Sequence, residues 1–269
     1  MANRRAGGQS RAAMSESRAR PGRLGAAGKL LATATLCAAL GWPRAAGAGP
    51  LEGIAGWEGD GYHQGYGFAM AGLLLGDGGH LVVPVRISGS YLYYNFREQG
   101  EEVSVRAPGA AGSLGLRLVG EWGTATLLAG GEVRWEQRLR ESVSTPAASI
   151  ARGGAVLQAE SDLKLSGRLR PFLLFNYSGS SRYLYGRALL RWQCSNLDWQ
   201  GPASWFVGIE GVGQGNRDTD AFQGGTTVEC ALTHARLSLS VHGGWKSSAS
   251  SDSARRDGGY VGAGIYRRF

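Results

Sequence analysis

Histidine and cysteine are scarce in this chain, and past its first 48 residues no helix-length stretch carries an apolar period of 3.6 residues. Three cysteines and four histidines leave neither a CxxC pair nor a His/Cys cluster. A structural metal is therefore not expected, and two or three cysteines do not make a disulfide scaffold. No cofactor is expected either. The Gly-rich stretch Gly211-Val212-Gly213-Gln214-Gly215 lacks the following helix and the Lys-Ser/Thr that a phosphate loop needs. The missing helical period excludes a bundle and leaves an all-β reading.

The strong positive charge is also absent from most of the chain. Residues 1–48 hold eight basic residues and one acid, Glu16; taking these from the totals of 29 and 21 leaves 21 basic against 20 acidic. The high pI belongs to the N-terminal segment and is no sign of nucleic-acid binding. That segment has the form of a signal peptide. Arg18, Arg20, Arg23 and Lys29 precede the apolar run Leu30 to Leu40, and Ala46-Gly47-Ala48 provides small residues for cleavage after Ala48. Met14 is an alternative start. Leu36 is too bulky before Cys37 for a lipoprotein site. The expected division is a leader over 1–48 and a single barrel domain over 49–269. Cys37 leaves with the leader, and whether Cys194 and Cys230 pair stays open at this level.

What is abundant is glycine, 45 residues, together with alternation of period two. Leu237, Leu239 and Val241 alternate with Ser238, Ser240 and His242. Leu184, Ala188, Leu190 and Trp192 alternate with Tyr185, Arg187, Leu189 and Arg191. Leu81, Val83, Val85 and Ile87 alternate with Val82, Pro84, Arg86 and Ser88, and Leu114, Leu116 and Leu118 with Gly115 and Arg117. Such strands suit a soluble barrel with an apolar inside or a membrane barrel with an apolar outside. The polar face carries Arg86, Arg117, Glu132, Arg134, Glu160, Arg187, Arg191, Glu210 and Glu229, too many charges for a dry core. Trp57, Trp135, Trp192, Trp205, Trp245 and Tyr260 fall near strand ends, where interfacial girdles would lie. Export and both patterns favour an antiparallel up-and-down outer-membrane β-barrel.

Turn signals give about twelve strands: 52–61, 65–76, 80–97, 101–119, 123–137, 150–165, 169–178, 182–194, 203–214, 220–232, 235–247 and 258–269. Ten strands is the alternative count, because 52–61 patterns most weakly. An even number puts both termini on the periplasmic side, with tight turns there and the long polar loops 139–149, 214–219 and 248–257 outside. Phe269, after Val261, Ala263 and Ile265, fits the terminal signal read by the outer-membrane assembly machinery; Arg267 interrupts that pattern. Outer-membrane lipid and this machinery are the expected partners.

Chemistry-bearing groups are few. His242 and Ser240 share a face, but residues i and i+2 on a strand stand about 7 Å apart, which argues against a Ser-His pair. Glu132, Glu160, Glu210 and Glu229 could suggest glycosidase chemistry, yet the accompanying arginines point instead to a salt-bridged lumen. The nine charged residues above are therefore expected to form a lumen network. Tyr91, Tyr93 and Tyr94 are candidate glycan-contacting rings, for which a membrane girdle is the alternative.

The order of segments resembles a known family. Gly76-Asp77-Gly78 leads into Val85-Arg86-Ile87-Ser88-Gly89-Ser90-Tyr91 and Tyr93-Tyr94. There follow Gly153 to Glu160, Tyr183 to Trp192, and Gly208-Ile209-Glu210 with Gly215-Asn216, then a Ser/Gly-rich stretch before Tyr260. Over about residues 54–266 this is similar to the cellulose biosynthesis protein BcsS family. The resemblance implies a non-enzymatic accessory role in cellulose synthesis or export, with cellulose or cellulose-export proteins as partners and no catalytic residues to carry over. An outer-membrane hydrolase and a general small porin are the rival functions.

Overall fold

The computed structural model describes residues 50–62, 64–76, 79–98, 101–140, 149–194, 203–217, 219–250 and 253–269. The expected leader over 1–48, His63 and most of the 139–149 stretch lie outside them. Twelve antiparallel strands close into one barrel in which each strand pairs with its sequence neighbours and β1 pairs with β12. They are β1 Leu51–Asp60, β2 Gly65–Leu75, β3 Leu81–Glu98, β4 Glu101–Gly120, β5 Gly123–Arg140, β6 Ile150–Leu163, β7 Leu169–Ser178, β8 Tyr183–Gln193, β9 Ala203–Gly215, β10 Thr219–Leu232, β11 Leu237–Ser250 and β12 Ser253–Arg268. The count is twelve rather than ten, because the glycine-rich first strand pairs along its length with both β12 and β2. Closure leaves no open edge, which removes the hazard of unpaired strand edges.

The alternation sorts as the sequence requires. Ile87, Leu127 and Ile209 point outward and are 66, 62 and 63 % exposed, whereas Arg86, Thr126 and Glu210 point inward and are buried. The outer face is an apolar belt. Trp57, Trp135 and Trp245 stand toward the end away from the chain termini, the distal end; Trp192 and Trp205 stand toward the terminal end. Ten-residue strands such as β1 and β7, tilted by about 40°, rise about 25 Å, the height of an apolar band in an outer-membrane barrel.

Tyr260 departs from the expected girdle. It turns inward and is 5 % exposed, because period two cannot point both it and Val261 at lipid. The stretch 248–257, expected as a loop, is mostly strand: β11 runs to Ser250 and β12 begins at Ser253. The ladder continues through a bulge between Ser248 and Ser250, and Arg255 Nε donates to Ser247 Oγ at 2.5 Å. A polar composition does not forbid pairing where both faces meet water.

The distal rim is uneven. β3, β4 and β5 are 18, 20 and 18 residues long, while β2 and β8 have 11 each. The first residue of β2, Gly65, lies opposite Tyr93, and β3 continues to Glu98. On the other flank Asp60 ends β1 opposite Tyr260, and β12 reaches back to Ser253. Ser178 ends β7 opposite Val156, and β6 reaches back to Ile150. The hairpins β1–β2 and β7–β8 are thus two low points of the rim, and they face each other across the ring.

Close strand contact fixes some glycines. A Cβ on Gly115 would stand 1.8 Å from the Leu127 carbonyl oxygen, and Gly123 combines φ of 123° with a Cβ position 2.1 Å from the Asp162 carbonyl oxygen. Only glycine fits there.

Candidate functional site: the barrel lumen

The terminal half of the lumen is crossed by ion pairs. Glu52, at the start of β1, accepts from Arg86 Nε at 3.1 Å and takes a two-pronged contact from Arg117, Nη1 and Nη2 each at 3.0 Å. Arg86 in turn grips Glu160 with Nη1 at 3.1 Å and Nη2 at 2.6 Å. Four strands are tied across the interior in this way, and Arg86 and Glu52 are each 2 % exposed. Thr126 accepts from Arg117 Nε at 3.0 Å, and Gln158 donates to Glu160 at 3.1 Å. Planar guanidinium groups facing carboxylates in this geometry make the strongest form of charged hydrogen bond. With two arginines and two glutamates the cluster is neutral, which is the condition for burying it.

A second cluster occupies the opposite wall. Arg191 bridges Glu229 at 2.9 Å and Asp162 at 2.7 Å, with its guanidinium over the rings of Phe172 and Phe206 at 5.9 and 6.0 Å. One layer higher, Glu210 receives Arg187 Nη2 at 2.5 Å and Nε at 2.9 Å, and Tyr260 Oη donates to its other oxygen at 2.7 Å. Toward the distal end Glu58 accepts from Gln223 at 2.7 Å, with His242 Nε2 at 3.6 Å, and Lys246 reaches Asp60 at 2.8 Å. Among the described residues Glu132 binds no arginine; it accepts from Ser178 and Ser180 hydroxyls at 2.5 and 2.6 Å and from the Ser180 amide at 3.0 Å.

Of the nine residues expected to form one network, the structure brings eight into separate hydrogen-bonded groups. Arg134 stands apart: it makes no ion pair among the described residues, and its Nε has no hydrogen-bond partner. Sequence reasoning missed Glu52, Glu58 and Asp60. Their common parity on β1 was the available signal, but the glycines between them hid the alternation. Of the three tyrosines, Tyr94 turns inward and stacks on Phe96 with centroids 6.1 Å apart. Tyr91 and Tyr93 turn outward beside Gly67 and Gly65 of β2.

Among the described residues Ser240 and His242 do not pair. His242 Nδ1 has no hydrogen-bond partner, and the hydroxyl of Ser240 is directed to the Gly264 carbonyl at 3.5 Å. The described residues contain no group of three or more His, Cys, Asp or Glu able to hold a metal ion. Cys194 and Cys230 are free. Both lie beside Trp205 of β9, Cys194 just past the end of β8 and Cys230 on β10. Two strand spacings are about 9.6 Å, beyond the roughly 7 Å that a disulfide spans. At the terminal end the Phe269 amide donates to the Leu51 carbonyl at 2.7 Å, and the Arg267 guanidinium covers the Phe269 ring at 4.6 Å. Arginine at this outward position thus lies over a ring at the edge of the belt, where its charged head can reach water.

The chain is similar to several solved outer-membrane proteins. The β domain of the Bordetella autotransporter BrkA is 14 % identical, with 82 % of this chain and 98 % of that one covered and a TM-score of 0.49. The translocator domain of the autotransporter NalP from Neisseria meningitidis is 14 % identical, with 90 % and 95 % covered and a TM-score of 0.48. The COG4313 outer membrane channel from Pseudomonas putida F1 is 12 % identical, with 85 % and 98 % covered and a TM-score of 0.46. No curated protein matches the sequence. The model of one protein family does, over residues 52–269, and by that match the chain belongs to the cellulose biosynthesis protein BcsS family.

Proposed function

We propose that the protein is a non-enzymatic barrel of the bacterial outer membrane, accessory to cellulose biosynthesis or secretion. The terminal end then faces the periplasm and the distal rim faces outward. The belt between the two tryptophan rows supports the membrane placement: outward charges are costly in lipid, and the described strands keep their ion pairs inside. Membership of the cellulose biosynthesis family supplies the process.

The observation that carries an accessory role over a conduit is the crossing of the lumen by the Glu52, Arg86, Arg117 and Glu160 cluster. A polysaccharide entering from the terminal end would have to break buried, bidentate ion pairs, each break leaving charge unpaired in a narrow bore. A barrel closed in this way acts by what it holds or presents at its rim.

The test is deletion of the gene and measurement of surface cellulose and fibril organisation, with the wild-type gene returned on a plasmid. Loss of yield or order, restored by the plasmid, is expected. Unchanged cellulose in the deletion strain would refute the reading.

A further inference from the structure

Above the ion pairs the lumen opens. Tyr66 points inward from β2 and is 40 % exposed, whereas Arg86, deeper on the neighbouring strand, is 2 % exposed. An inward residue with that much free surface borders open space within the bore. Tyr183 and Tyr185 enter the lumen from the opposite wall, on the inward parity that Arg187 and Arg191 share on β8. Tyr94 continues the wall above Tyr66, since Leu92 lies opposite Tyr66 in the ladder and Tyr94 is the next inward position. Guanidinium groups cover Phe172, Phe206 and Phe269 lower in the barrel; among the described residues none covers these four tyrosines.

The polar groups around the chamber are of two kinds. Its carboxylates already have partners: Glu132 holds Ser178 and Ser180, Glu58 holds Gln223, and Asp60 holds Lys246. Arg134 and Arg152 occupy directly facing inward positions on β5 and β6, and the Nε of Arg134 has no partner. The chamber thus offers aromatic surface and uncommitted donors beside carboxylates that already have partners.

The shape of the rim says what kind of ligand fits. The two low points, β1–β2 and β7–β8, lie opposite each other between taller walls, so among the described residues the mouth is a cleft open at both ends. Tyr66 stands below one opening, and Tyr183 and Tyr185 stand below the other. We infer that this cleft binds an extended, neutral β-glucan chain lying across the mouth. In it Tyr66 and Tyr183 meet sugar faces at the two ends, Tyr94 lines the wall, and Arg134 and Arg152 donate to hydroxyls. A pyranose ring of a β-linked glucan has apolar C–H faces and a polar equatorial edge, which matches rings flanked by donors. Lys246 neutralises Asp60, and Glu58 and Glu132 offset Arg134 and Arg152, so these groups carry no net charge to draw a polyanion. The choice of glucan among neutral glycans rests on the accessory reading above.

The experiment uses the folded full chain in detergent and cellohexaose as the probe, with binding followed by calorimetry. Saturable binding is expected, weakened about fivefold by Tyr66→Ala and by Tyr183→Ala, with Tyr66→Phe close to wild type. Heat-modifiable gel mobility reports folding of each variant. If Tyr66→Ala does not fold, Tyr183→Ala decides, and unchanged affinity there overturns the site. Absence of binding by the folded wild type also overturns it, as does tighter binding of polygalacturonate than of cellohexaose. Cellohexaose binding alongside normal cellulose in the deletion strain keeps the site and removes the accessory role. Lost cellulose without cellohexaose binding does the reverse.

Discussion

Glu52 is the residue whose loss should cost the barrel most, although it sits only two positions into the first strand. It is 2 % exposed and accepts from two arginines, one of which, Arg86, is equally buried. Glu52→Gln keeps the shape and one acceptor but removes the charge, so two guanidinium groups are left facing only Glu160. Arg86 keeps its two-pronged contact with Glu160; Arg117 is left with a contact to Glu160 at 3.5 Å and its bond to Thr126. Breaking a buried pair by removing one partner costs about 3–5 kcal/mol, and the near-complete burial of Glu52 leaves little solvent to reduce it. The assay is urea unfolding of the barrel in lipid vesicles, read by gel mobility and tryptophan fluorescence. The paired control is Glu52→Gln with Arg117→Met, which returns the cluster to neutrality. We expect the double variant to lose less than the sum of the single losses, by about 0.5–3 kcal/mol of coupling. An unchanged midpoint in Glu52→Gln, or strict additivity in the double variant, would refute the idea that neutrality of this cluster holds the lumen closed.

Four further outcomes are expected. Ile209→Arg places a charge on the lipid face at a residue 63 % exposed and should cost about 2–4 kcal/mol in vesicle folding; no cost would put that face in water. Gly115→Ala should block assembly, since its Cβ would meet the Leu127 carbonyl oxygen at 1.8 Å, whereas Gly211→Ala, with nothing within 4 Å, should fold normally; the yield of heat-modifiable protein separates them. Cysteines at Gly61 and Gly167, both in open space at opposite ends, should differ on intact cells: the first reacts with an impermeant thiol reagent and the second only after lysis. Reversed labelling inverts the orientation. Glu210→Gln, which leaves Arg187 without its carboxylate partner, should lower heat resistance and reduce function only in proportion to folded protein. Normal heat resistance with lost function would make Glu210 a functional group and revive the hydrolase reading.

The sequence by itself determined an all-β barrel of about twelve strands, their approximate bounds and, for most strands, which face turns inward. Period two needs only local order: once Val85 and Ile87 face out, Arg86 must face in, whatever the rest of the chain does. The same logic, applied strictly, would have turned Tyr260 inward from the outset. Partner choice inside the lumen was decided only by closure. Glu52 and Arg86 are 34 residues apart, and Arg86 and Glu160 are 74 apart; no local pattern brings β1, β3 and β6 together across a bore. The separation of Cys194 from Cys230 was likewise set by the interposed strand β9, which neither residue's neighbours reveal. The uneven rim arose the same way. Whether polar residues such as those in 248–257 pair or loop depends on whether an adjacent strand is there to continue the ladder, and only the assembled barrel supplies that strand.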